Sequence, residues 1–72
     1  MMTTENLYFI TFCVGSLSEA LNKSASQVYE ALRSSGLLND YIIPCYDVLH
    51  SFSKEDIVED LTEALKERGA LV

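Results

Sequence analysis

Apolar residues in this chain recur at steps of three and four, the period of a helix packed on one side. Leu7, Ile10, Val14, Leu17 and Leu21 form the first such stripe, widened by Phe9, Cys13 and Ala20. Thr4 reads as its N-cap, with Glu5 near the positive end of the helix dipole. Gly15 weakens the middle, and Tyr8–Val14 alone could pass for a strand; the sustained period decides for helix. A second helix starts at Ser24, whose Ser-x-x-Gln spacing to Gln27 is a capping box. Val28 and Leu32 share one of its faces, Ala25 and Tyr29 the adjoining one, and Gly36 is placed to terminate it in a left-handed conformation.

A third helix is expected over about Asn39–His50. Leu38, Ile42, Cys45 and Leu49 lie on one face, with Tyr41 and Val48 beside it. Pro44 has no N–H for the carbonyl of Asp40, so the helix should kink or restart there. The fourth helix has the fullest set of signals. Ser53 caps it, Asp56 stands where a capping box carries Glu, and Phe52 is spaced to staple onto Ile57. Ile57, Val58, Leu61, Ala64 and Leu65 line its inner face, and Gly69 ends it. The expected fold is therefore all-α: one domain over residues 1–72, a compact bundle of four short helices, the third kinked at Pro44.

Charge narrows the functions such a bundle can serve. The 72 residues hold 5 Lys and Arg against 11 Asp and Glu, a formal net charge of −6. Half of it falls in residues 53–72, where six carboxylates face three cations. An acidic surface argues against phosphate-backbone and anionic-membrane binding, which both need a cationic face. No basic leader opens the chain, and the longest apolar run, Leu7–Val14, is far short of the roughly 20 residues of a membrane span. The two cysteines, Cys13 and Cys45, do not make a disulfide scaffold, and a cytoplasmic, reduced setting is expected. At this length a chain buries only about 60–65% of its unfolded surface. Association with a second copy or another protein is the expected supplement.

The residues offer little catalytic chemistry. Glu55/Glu59 and Asp56/Asp60 are carboxylate pairs one turn apart, and they read as a solvated face because no calcium loop accompanies them. Cys45 and His50 are a formal nucleophile–base pair, yet five residues turn a helix by about 140°, so they do not face each other. A zinc site would need clustered ligands, and a single His without Cys-x-x-Cys does not supply them. Neither catalytic residues, cofactor nor metal is expected. Tyr46 and Asp47 are instead spaced to meet His50 on one face, and with Tyr41 they mark an aromatic recognition patch.

Leu17 to Leu32 also has the outline of a helix-turn-helix, with Ser26, Gln27, Glu30 and Arg33 on the groove-facing side and Lys23 beside them. Gln27 and Arg33 can read bases, but Glu30 repels phosphates and residues 1–36 sum to −1. DNA binding through Lys23, Gln27 and Arg33 is thus the alternative reading, behind protein interaction.

The run Asp40-Tyr41-Ile42-Ile43-Pro44-Cys45-Tyr46-Asp47-Val48-Leu49-His50, with the charged helix ending at Lys66-Glu67-Arg68-Gly69, resembles domain of unknown function 3791. Ile10–Val14 and Val28–Leu32 fit that family too, so the likeness runs from about residue 8 onward. The resemblance implies a small stand-alone bacterial protein without an assigned activity. Members are often encoded beside other small proteins, some of which resemble ADP-ribosyltransferase domains. That implies an accessory or antitoxin-like role. The resulting expectation is a non-enzymatic interaction module that binds itself or a neighbouring gene product around Tyr41, Tyr46, Asp47 and His50. Its acidic last helix would steer a basic partner.

Overall fold

The computed structural model describes residues 3–70, and every regular element among them is helical. The order is α1 (Thr4–Leu21), α2 (Ala25–Ser34), a π-helical turn π1 (Leu38–Ile42), α3 (Tyr46–Leu49) and α4 (Lys54–Glu67). The Cα radius of gyration is 11.0 Å, matching the value of about 11 Å expected of a compact chain this long. Among the described residues no helix is long and apolar enough to cross a membrane.

Caps decide where the helices begin. Thr3, not Thr4, caps α1: its Oγ1 accepts the Asn6 N–H at 3.1 Å, while Asn6 Oδ1 accepts the Thr3 N–H at 3.2 Å. A cap at Thr4 would put Leu7 at the reciprocal position, and Leu7 has nothing to offer a free N–H. Ser24 and Gln27 close the expected box on α2, at 3.1 and 3.0 Å. On α4 the Ser53 hydroxyl accepts the Asp56 N–H at 3.2 Å. Phe52, expected to staple onto Ile57, stays 39% exposed.

The helix ends use left-handed residues. Asn22 terminates α1 at φ 55°, with the Lys23 N–H on the Ser18 carbonyl. At Gly69 (φ 69°) the Ala70 N–H reaches Leu65 O and the Gly69 N–H reaches Lys66 O, the two bonds of a Schellman motif. Gly36, after α2, has φ 85°, and a Cβ there would lie 3.0 Å from Asp40 Oδ2 and 3.1 Å from Arg68 Nη1. Any other residue there would be strained at that φ and would push the Asp40 and Arg68 side chains aside.

The single kinked third helix is replaced by two short pieces. Ile43 donates to Leu38 O, a five-residue step, Cys45 donates to Tyr41 O, and the chain turns through Ile43–Cys45 before α3. Because Pro44 can donate nothing, the four-residue ladder cannot pass through it, and the backbone breaks instead of bending. The break still delivers Leu38, Ile42 and Leu49 to the interior.

One core results. Ile10, Cys13 and Leu17 of α1 meet Val28 and Leu32 of α2, Ile57, Leu61 and Leu65 of α4, and the buried middle residues, including Leu37. The α1 stripe is rotated from its expected line. Leu7 is 53% exposed, Ala20 is exposed, and Val14 and Leu21 are half-buried. Length explains Leu7. The 18 residues of α1 extend about 27 Å and the 10 of α2 about 15 Å, so α2 leaves the first turns of α1 uncovered.

Candidate partner-binding surface

The four residues expected to form one patch fall on two sides of the bundle. Tyr41 turns toward α4 and donates its hydroxyl to Asp60 Oδ2 at 2.6 Å. That bond, with burial and the carboxylate charge, pushes the phenol pKa up to about 12. Tyr46 turns toward α1, where its ring meets Phe9 edge-on with centroids 5.4 Å apart. His50 stacks on Tyr46 at 4.7 Å and holds the Tyr46 carbonyl through Nδ1 at 2.7 Å. Asp47 is exposed and lines a cleft with Tyr46, Pro44 and the first turn of α1. Tyr46 and His50 therefore act as a stacked pair, one turn apart as their spacing requires.

That pair continues into a larger aromatic surface. Phe9 stacks with Phe12 at 6.2 Å, so Phe12, Phe9, Tyr46 and His50 form a line of rings across α1 and α3. On the outer side of α1, Tyr8 is 74% exposed and Phe12 42%; Leu7, 53% exposed, lies on the inner stripe beyond the reach of α2, and α3 exposes Val48 at 60%. Large apolar side chains exposed together on one helix are a feature of interaction surfaces. The signal for it lies in the sequence as a second stripe, Tyr8, Phe12 and Gly15, on the side of α1 away from Ile10, Cys13 and Leu17.

A second surface lies where α4 rests on α1. Ser16, Ala20 and Val58 floor a shallow groove between the two helices, and Glu19, Glu55 and Glu59 rim it. Lys54 Nζ approaches Glu19 Oε2 at 3.7 Å across one end. Exposed ion pairs of this kind contribute little to stability. Their charge acts at longer range, on what approaches.

The helix-turn-helix side chains are occupied within α2. Gln27 spends its amide oxygen on the Ser24 N–H, and Arg33 is held by Glu30 through both Nε and Nη2. Lys23 is half-buried at the α1–α2 corner. Cys13 is fully buried, which pushes its thiol up to about 12, and no thiolate forms there near neutral pH. Cys45 is a half-buried free thiol. Among the described residues no group of three His, Cys, Asp or Glu is placed to hold a metal ion.

No curated protein and no solved structure matches the chain. The family model described as "Protein of unknown function (DUF3791)" matches residues 8–68, from the exposed Tyr8 on α1 to Arg68 at the end of α4, and the chain belongs to that family.

Proposed function

We propose that this protein is an interaction module whose binding face is the outer side of α1, bordered by Tyr46, Asp47 and His50. One observation carries the reading: Tyr8 and Phe12 are exposed on the opposite side of the helix that supplies Ile10, Cys13 and Leu17 to the core. A chain of 72 residues has little stability to spare. Leaving these two large side chains in water is a cost that association would remove. Tyr41 lies outside the face, committed to Asp60. Free cysteines suit a reducing, cytoplasmic compartment. The acidic side of α4 favours a basic partner, in an accessory or antitoxin-like arrangement with a protein encoded nearby.

Copurification of the full chain with the product of the adjacent gene, together with light scattering for mass, tests the proposal. Wild type should associate with itself or with that product, and the Tyr8→Ser/Phe12→Ser variant should do neither while keeping its helical circular dichroism. A variant that associates as wild type does would sink the reading.

A further inference from the structure

We infer that the groove between α1 and α4 holds an amphipathic helix of a partner protein, its apolar ridge flanked by arginine or lysine. This rests on the reading of the protein as an interaction module and gives it a second contact surface, separate from Tyr8 and Phe12. Past Ser16, Ala20 and Val58 the groove continues to Leu21 and Thr62. Its floor is made of small and aliphatic side chains, so another helix can lie close along it. Two hydroxyls lie on that floor. Ser16 is buried, and Thr62 Oγ1 has no hydrogen-bond partner among the described residues. An occupant's guanidinium would supply one.

Charge identifies the occupant. Lys54 and Lys66 stand at the two ends of the groove, and between them α4 presents Glu55, Glu59 and Glu63. These three are exposed, and among the described residues none of them forms an ion pair. They repeat every four residues, about 6 Å along the axis, close to the pitch of one turn of a partner helix. Cations one turn apart on that helix meet them in register, while Glu19 faces the other flank of its ridge. From Lys54 to Lys66 the groove is about 18 Å long, room for three helical turns. An apolar floor between carboxylate rims selects a helix with the reverse pattern. A second copy does not supply one, since the chain carries −6 and no helix holds more than two of its five cations. Nucleic acid and anionic membranes are repelled by the same rim.

Fluorescence anisotropy of the full chain with a labelled synthetic helix tests this. The probe is a four-turn peptide of leucine, alanine and arginine, with the arginines flanking a leucine ridge. It should bind one to one, and more weakly as salt is raised, because the rim contacts are charge pairs open to screening. Ala20→Arg puts a cation on the floor at an exposed position and should weaken binding about tenfold, with helical circular dichroism retained. Glu59→Gln should weaken it severalfold. Glu67→Gln removes the same charge from α4 on the Tyr41 side, outside the groove, and should leave binding unchanged.

A wild-type chain that ignores the probe even at low salt overturns the inference. So does equal weakening by Glu67→Gln and Glu59→Gln, which would reduce the attraction to net charge. A scrambled peptide of the same composition that binds as tightly would overturn the helical occupant. A chain that ignores the probe yet captures the adjacent gene product through Tyr8 and Phe12 would overturn the groove alone and leave the proposed function standing.

Discussion

The outward faces of α1 and α4 are both open to water, and they differ in what water does to them. On α1 the outermost side chains include Tyr8 and Phe12, 74% and 42% exposed, with a bare Gly15 beyond them. On α4 the outer positions are Glu55, Glu59 and Glu63, all exposed. Carboxylates in water are already satisfied, so the α4 face acts on other molecules through its field and decays over a Debye length. The α1 face has fewer charges, Glu5 and Glu19, and the free energy of its apolar side chains falls only when a surface touches them. Under the proposed function the two regions would divide recognition: one would set approach and salt dependence, the other residence. Association through α1 should tighten with salt, and attraction of a basic partner through α4 should weaken with it.

Variants that separate the two faces of α1 give the largest effects. Leu17→Ala empties the centre of the core, where Leu17 is fully buried, and should cost about 3 kcal/mol in urea unfolding. A domain of this size has roughly 4–11 kcal/mol in total, so the loss takes from about a quarter to three quarters of it. Tyr8→Ala removes a larger side chain from the outward face of the same helix. It should change the monomer's stability by less than about 0.5 kcal/mol. Association should nevertheless weaken about tenfold, and a Tyr8→Ala chain that unfolds as Leu17→Ala does would erase the distinction.

The inner edge of α4 gives an intermediate effect. Tyr41→Phe removes the hydrogen bond to Asp60 and should cost about 1 kcal/mol. Wild type should also show a pH signature that this variant lacks. The folded phenol keeps its proton to about 12, against an ordinary value of 10.0. Above the ordinary value the unfolded chain binds fewer protons at Tyr41 than the folded one. The contribution is thus intact below pH 10 and lost as the pH rises toward 12. Denaturation midpoints across that window, compared between wild type and Tyr41→Phe, measure it.

Smallest of all should be changes on the acidic face. Glu59→Lys and Glu63→Lys alter exposed groups and should shift stability by less than about 0.5 kcal/mol. They should instead slow the binding of a basic partner in stopped-flow association at low salt. If either carboxylate change abolishes association outright, the contrast drawn between the two faces is wrong.

How much of this was legible along the chain follows the range of the forces involved. Caps are local, and Ser24 with Gln27, Ser53, Gly36 and Gly69 all act where their spacing places them. The cap of α1 was misread by one residue because Asn6, in place of the usual Glu or Gln, closes the box with Thr3. The inner stripes of α2 and α4 were legible too, since those helices have one apolar side each. On α1 large apolar residues lie on both sides of the helix, and periodicity alone does not separate them. Leu7 has the spacing of an interior residue yet is exposed, and Tyr8 stands off that stripe.

The sequence by itself determined an all-helical chain, most of its helix boundaries, its acidic side and its family, because hydrogen-bond capping, helical periodicity and charge are properties of neighbouring residues. Tertiary structure decided the rest. Whether Pro44 bends a helix or breaks it depends on carrying Leu38, Ile42 and Leu49 into one core. Whether Tyr41 joins Tyr46 and His50 depends on where α4 sets Asp60, 19 residues away. Which side of α1 stays open depends on the reach of α2 and α4. Those are comparisons of length and distance between elements, and no local pattern contains them.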